Sequence, residues 1–395
     1  MFFISQIGEC DCAITCLNML LANYHHDKNY LFLKHEDRPY SFKELIEIGE
    51  KYHLSLTGVK IEDALEITKC ESFPIIVTIR NIDKSRHSVL LVKANSKKVT
   101  YFDPLFGKVS ESFDDFASKW TKHALIVGEL TKTTCDIIPP HFVAKKDKIT
   151  LPIFQLLSGV SFLLATFFID RNVDMVIPII FFALFFVFEL IFRENLVRAM
   201  RRIDENLEEY DLDIPKEKYK DLFTSSEKYR IKALTRVSEV INAGLISLFL
   251  IFIVLINDKM NAIYVALTIF LALVECLAFN PFIEKKTINL ARQEQEILHS
   301  DSEVEYKLLA RTTREQAYRL GQYRVIFNYV SIGIILFSIV LVMSLTQNIN
   351  VTYIVFYLCI CLFLRTNLLK VLTYEEMTRQ KDNEQIKIIC YLKDK

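Results

Sequence analysis

Cys12 is the residue best placed for covalent chemistry. It follows Asp11, and from it Ile14, Leu17, Leu21 and Tyr24 recur at helical spacing. Asp11 is a good N-cap, so Cys12 falls in the first turn of a helix. Orphan N–H groups and the helix dipole favour a thiolate there. A thiolate nucleophile then requires a base in hydrogen-bond reach and a group that orients the base. His87 and Asp103 can supply both. Residues 74–80, 87–94, 98–103 and 123–130 read as strands, with His87 opening one and Asp103 closing the next. A three-residue turn centred on Asn95 would set residue 87 opposite residue 103 on one face, whereas a two-residue turn would separate them. A Cys–His–Asp set uses that juxtaposition: the carboxylate fixes the imidazole tautomer and the imidazole takes the thiol proton.

The elements that must position these residues fall into two compositions. The 395 residues balance 48 basic against 48 acidic side chains, which leaves no basic footprint for nucleic acid. A mean hydropathy of +0.24 beside 24% charged residues requires the two kinds to be segregated. Residues 1–135 read as a globular domain and 136–150 as a linker. Residues 151–371 hold six apolar stretches, at roughly 151–169, 173–192, 238–256, 261–282, 325–345 and 351–369. At ~1.5 Å per residue each spans a ~30 Å hydrocarbon core. The connections at 170–172, 257–260 and 346–350 predict tight hairpins. Those at 193–237 and 283–324 predict long charged helices, and residues 372–395 read as a tail. Lys and Arg number two in the short connections (Arg171 and Lys259), against ten in 193–232 and eight in 285–324. The positive-inside rule therefore places the head, the long loops and both termini in the cytoplasm. No basic and apolar signal precedes the head, so its cysteines are expected as thiols.

The pattern Gln6-x5-Cys12-x3-Cys16-Leu-x-Met, then His87-Ser-Val-Leu, then Phe-Asp103-Pro104, resembles the double-glycine peptidases fused to bacteriocin and peptide-pheromone exporters. The three hairpins with two long loops resemble the transmembrane domain of an ABC exporter. The resemblance implies an α+β papain-like cysteine peptidase domain followed by an all-α six-helix transmembrane domain. It implies cleavage of a leader peptide after Gly-Gly, with Cys12 as nucleophile, His87 as base and then acid, and Asp103 as orienting carboxylate. Gln6 would donate from its side chain into the oxyanion hole. A homodimer in the lipid of a bacterial plasma membrane is implied as well, with segments 210–214 and 300–303 contacting an ATPase. A phosphate-cradling loop is not expected in this chain: at Gly107-Lys108, Phe102 stands where the first glycine belongs and Val109 where Ser or Thr belongs. About 24 residues follow the last span, too few for a nucleotide-binding domain. The chain is thus expected to bind no cofactor, with ATP used by a separately encoded ABC ATPase. It departs from the family in carrying Ala13 where glycine usually follows the nucleophile, and Thr15 where alanine is common. A membrane-anchored leader peptidase without transport, and a catalytically silent leader-docking accessory, are the other readings.

Cys10 is the rival nucleophile, but it precedes the N-cap and breaks the spacing to Gln6. The C-x-C spacing of Cys10 and Cys12 does not suit structural zinc, so no metal is expected. Cys16 reads as a small buried hydrophobe. His25, His26, His35, His53 and His123 read as surface or strand-edge residues. Among acidic residues in the spans, Glu189 can pair with Arg193. Glu275 lies deeper, where it either lines a peptide path or bonds between helices. Arg365 and Asn367 are expected near the cytoplasmic interface.

Overall fold

The computed structural model describes residues 1–8, 10–70, 72–80, 85–130, 137, 139–140, 142–170, 174–208, 219–257, 262–298, 303–345 and 351–392. The expected hairpins at 170–172, 257–260 and 346–350, with Arg171 and Lys259, lie wholly or mostly outside the described residues. So do the expected ATPase contacts at 210–214 and, but for its last residue, 300–303.

The head is built on helix α1 (Cys12–His25), every residue of which from Cys12 to Ala22 is buried. It packs on a six-stranded antiparallel sheet of β1 (Leu54–Lys60), β2 (Ile75–Arg80), β3 (Arg86–Ala94), β4 (Lys98–Asp103), β5 (Gly107–Ser112) and β6 (Trp120–Leu130). The strand order is β1-β6-β2-β3-β4-β5. Ile76, Leu90 and Leu125 face α1, Leu17 and Leu20. Val77, Val89, Leu91 and Tyr101 face Phe116 and Trp120 on the opposite side. With both faces covered, β2 is buried at every position from Ile75 to Ile79 rather than at alternate ones. Helices α2 (Phe42–Lys51) and α3 (Phe113–Lys119) complete the head. The strands expected at 74–80, 87–94, 98–103 and 123–130 are all present. β1 and β5 were not anticipated, because each buries only one or two side chains and leaves a weak pattern.

The turn between β3 and β4 differs from the expected three-residue loop. Ala94 pairs with Val99, so four residues intervene, and the Asn95 side chain accepts the N–H groups of Lys97 (3.0 Å) and Lys98 (2.7 Å). Leu90 pairs with Phe102, and continuing that register sets Asp103 opposite Val89, not His87. The offset is two residues, so both side chains keep one face and meet on the diagonal.

Among the described residues, six helical units are long and apolar enough to cross a membrane. They are α4 (Lys145–Asp170), α5 (Val176–Glu208), α6 (Tyr219–Asn257), a unit of α7 (Ala262–Val274) and α8 (Asn280–Leu298) joined by a π-turn over Glu275–Phe279, α9 (Glu303–Leu345) and α10 (Val351–Leu372). α4 begins at Lys145, so the last six residues of the expected linker are already helix. The 33, 39 and 43 residues of α5, α6 and α9 exceed the roughly 20 that a bilayer needs, so the charged segments continue the spans as helix. Glu189 accepts from Arg193 (3.1 Å) and from Ser158 (3.3 Å). Arg365 is buried between helices. Its Nε (3.0 Å) and Nη2 (2.5 Å) donate to Glu275, and Nη2 also donates to Asn328 (3.0 Å). Of the two roles open to Glu275, the structure places it in the interhelical pair.

The segment expected as a tail folds back as α11 (Tyr374–Tyr391). Its Ile386, Ile388 and Ile389, with Leu392 beyond it, join the cluster that holds Ile4 and Leu17 of the head and Ala199, Ile203 and Tyr229 of the long helices. Asn383 accepts the Ser5 N–H (3.3 Å), and Gln385 donates to the Pro140 carbonyl (2.9 Å). Ile388 is fully buried. Ile388→Ala is therefore expected to cost about 2–5 kcal/mol, read as faster proteolysis of the distant head at equal denaturant.

Candidate active site

The site begins with where α1 starts. Asp11 occupies the N-cap position, but its side chain makes no cap hydrogen bond. It turns back instead. Its carboxylate accepts the N–H groups of Ile7 (2.9 Å) and Gly8 (3.0 Å), the Thr15 hydroxyl (3.3 Å) and His35 Nε2 (3.0 Å). Asp11 is fully buried and His35 is 7% exposed. His35, expected at the surface, is thus a buried partner of Asp11. Only tertiary contact brings it there, since 24 residues separate the two. Burial pulls the His35 pKa down, but the Asp11 hydrogen bond and the Cys390 thiol outweigh that and raise it to about 10. Burial pushes the Asp11 carboxyl up, yet its bonds to His35, Ile7 and Gly8 hold it below the usual carboxylate value. The pair is ionic at neutral pH.

Cys12 is 9% exposed. Its Sγ accepts the Ser88 N–H from β3 at 3.5 Å, and one turn on, the Cys16 thiol donates to the Ser88 carbonyl at 3.4 Å. Ser88 thereby clamps both thiols to one strand. His87 Nε2 lies 2.9 Å from Asp103 Oδ1, which leaves the other ring nitrogen for Cys12. The same Asp103 oxygen accepts the N–H groups of Leu105 (2.9 Å) and Phe106 (3.3 Å), so the turn after β4 fixes the carboxylate. His87 and Asp103 are both buried. Desolvation opposes the imidazolium, but bonds to Asp103 and Cys12 raise the His87 pKa to about 10. Desolvation likewise opposes the Cys12 thiolate, and the His87 bond and charge with the Ser88 N–H overcome it, so the thiol lies below its ordinary value. The Cys16 thiol goes the other way, pushed well up by complete burial and by the neighbouring negative charges. One helix carries an activated thiol and an inert one.

Gln6 sits at the same edge. Its backbone N–H donates to the Pro104 carbonyl (2.9 Å), and its side-chain Nε2 donates to the Gly8 carbonyl (2.8 Å). One of the two amide hydrogens is committed there, and Oε1 is buried without a hydrogen-bond partner. The Gly8 backbone lies so close to Asp37 that a Cβ on Gly8 would sit 1.9 Å from the carboxylate carbon. Asp37 also accepts the Cys10 N–H (3.0 Å). A side chain at position 8 would have to displace the Asp37 carboxylate, and the loop carrying Gln6 is held by Asp11 and Asp37 together. Cys10 itself is exposed and lies outside the His87–Asp103 chain. Ala13 is 5% exposed, its methyl packed in the core rather than open to a substrate. Thr15 uses its hydroxyl on Asp11.

Two outcomes follow from this electrostatics. Cys12 should react with iodoacetamide faster than an ordinary thiol at pH ~6.5, and His87→Ala should abolish the excess rate; equal rates in both proteins would contradict the ion pair. His35 has a folded pKa raised above its ordinary 6.5 and Asp11 one lowered below its ordinary 3.8. Stability from that pair is full between those two values. It is lost as pH rises from 6.5 through about 10, and as pH falls through the acidic range. Removing one partner of a buried pair costs about 3–5 kcal/mol. The difference in unfolding midpoint between wild type and His35→Ala should therefore shrink steadily on the alkaline side.

Residues 2–132 match the family described as "Peptidase C39 family". No curated protein matches the chain. Among solved structures, the chain is similar to a double-glycine-motif protease from an AMS/PCAT transporter, solved in complex with its leader peptide. That match has 22% identity and a TM-score of 0.28, and covers 32% of this chain and 89% of the other. The peptidase domain of Streptococcus mutans ComA matches at 18% identity and a TM-score of 0.27, covering 32% of this chain and 98% of that one. A Streptococcus ComA peptidase domain matches at 18% and 0.29, covering 32% and 96%. The head is an antiparallel sheet with a buried helix opening on a cysteine, in the papain-like manner, and six long apolar helices come after it. The chain therefore carries at its N-terminus a cysteine peptidase domain of the Peptidase C39 family.

Proposed function

We propose that this chain is the peptidase and permease subunit of a split ABC transporter, cleaving a double-glycine leader from a small ribosomal peptide and exporting the remainder. The observation that carries the peptidase half is the continuous chain Cys12–His87–Asp103, buried and hydrogen-bonded, with the thiol shifted down and the imidazole shifted up before any substrate arrives. The thiolate attacks the carbonyl carbon of the second glycine and the carbonyl pair moves onto oxygen. On collapse the imidazolium gives its proton to the departing amine, leaving a thioester. His87, now neutral, takes a proton from water, whose hydroxide releases the leader acid and restores the thiolate. Asp103 stays ionised throughout and holds the ring. The oxyanion forms beside the orphan N–H groups of the first turn of α1 and the second amide hydrogen of Gln6.

The permease half rests on the six spans and on the helical continuation of α5, α6, α8 and α9 beyond bilayer length. Positive residues in those continuations support a cytoplasmic head, where an uncleaved peptide is met. In this reading two copies pair in the bacterial plasma membrane. A separately encoded ABC ATPase supplies the energy, and this chain binds no cofactor.

A synthetic Gly-Gly leader peptide incubated with the detergent-purified chain under reducing conditions should be cut after the second glycine. Mass spectrometry should show the product vanish with Cys12→Ala and persist with Cys10→Ala. A bound but uncut peptide would make the head a docking module instead. Gln6→Ala should lower kcat by about 10²–10³-fold, the worth of one oxyanion donor, while Cys12 alkylates at the wild-type rate.

A further inference from the structure

A cavity of about 290 Å³ lies away from the catalytic residues, where the head meets the helices. Four elements enclose it: the 3-10 turn Lys28–Phe32 of the head, the start of α4, the polar half of α6, and α11. Its charge is one-sided. Lys28, Lys148, Arg236 and Lys381 line it, against a single acidic residue, Asp147. That carboxylate is already taken, since Arg202 donates to both its oxygens at 3.0 and 2.6 Å. Lys381 has Asp382 at 2.6 Å, but Asp382 is not part of the lining.

Arg236 makes the site incomplete. Its guanidinium lies 5.1 Å from the centre of the Tyr374 ring, and its Nε and Nη1 are buried with no hydrogen-bond partner. A buried guanidinium donor without an acceptor is costly, and two on one group call for an oxygen-rich anion. Lys381 points the same way. Burial first, then the Arg236 and Lys28 charges, bring its ammonium below the ordinary value despite Asp382. Phe32, Val143, Pro152 and Leu234 supply an apolar wall beside the cations. Pro152 lies at the start of the first span, so this wall sits at the polar end of the membrane helices.

We infer that this cavity is a binding site for a phosphate-bearing anion, held by Arg236 and Lys381 with Lys28 and Lys148 at its mouth. A phosphate matches a guanidinium fork and ammonium groups together, and the apolar wall suits the glycerol of a phospholipid as well as it bounds a free ion. Bound there, the anion bridges the head, α4, α6 and α11. The inference does not depend on the peptidase reading.

The test uses the full chain in nanodiscs of phosphatidylcholine, with either phosphatidylglycerol in the bilayer or inorganic phosphate in the buffer. The unfolding midpoint is read as the increment that each probe adds to each protein, so a variant's lower baseline does not matter. The wild-type midpoint should rise with one probe or both. A rise with phosphatidylglycerol alone identifies a lipid headgroup, and a rise with inorganic phosphate identifies the free anion. Arg236→Gln should weaken the response about tenfold in ligand concentration, the loss expected of one charge-assisted contact. Lys148 is exposed, so Lys148→Gln folds normally and carries the same test if Arg236→Gln does not. Lys43→Gln, on an exposed lysine of α2, should respond as wild type. No increment with either probe, or one that Arg236→Gln and Lys148→Gln leave unchanged, would overturn the inference.

Discussion

Everything at the catalytic edge depends on one contact, the seating of α1 against β3. Eleven consecutive residues of α1 are buried, so the helix cannot roll without exposing core. Its first turn and its second each place a sulfur on Ser88, one accepting from the peptide N–H and the other donating to the carbonyl. The neighbouring residue on that strand is His87. Core packing therefore sets the distance between Cys12 and His87, and no loop has to be ordered to bring them together. Large apolar burial thus fixes a polar geometry that its own weak hydrogen bonds could not hold.

The second constraint is electrostatic. A carboxylate directly before a nucleophilic cysteine opposes the thiolate, and the Asp11 charge does act on Cys12 in that direction. The loop bearing Gln6 nevertheless needs an ionised Asp11, because that carboxylate gathers the Ile7 and Gly8 N–H groups. His35 reconciles the two demands. Held as imidazolium, it neutralises Asp11 where it stands, so the carboxylate organises the loop without cancelling what His87 does for the thiol. Two His–Asp pairs thus flank one cysteine, the first bonded to the thiol itself and the second to the loop before it.

Residue spacing made α1, four of six strands and six spans legible, because each is a long or strongly periodic apolar pattern. His87 and Asp103 could be brought together from the hairpin register, with Cys12 joined to them through the family resemblance, although the turn at Asn95 is one residue longer than expected and the pairing diagonal rather than direct. Parity, which survives a shift of two, is what preserved the expectation. His35, Asp37 and the fold-back of α11 were not legible. Their partners lie 24, 29 and hundreds of residues away, and no local period encodes contacts across such separations. The partner of Arg365 was hidden for the same reason: hydropathy locates a charge along a helix but not the Glu275 that faces it from another.

The fold-back changes how head and membrane helices must be regarded. A linker alone would let the peptidase swing independently of the spans. α11 instead touches the residue before Gln6 through Asn383, the partner of Asp11 through Cys390, and the linker through Gln385. Its isoleucines share one core with α1 and with the long helices α5 and α6. Displacing the bundle relative to the head would open that core, at a cost that scales with the apolar area exposed. The same displacement would disturb the two residues that position the Gln6 loop and the Asp11 charge. The catalytic edge and the spans are thus mechanically one object, coupled through a helix from the far end of the chain.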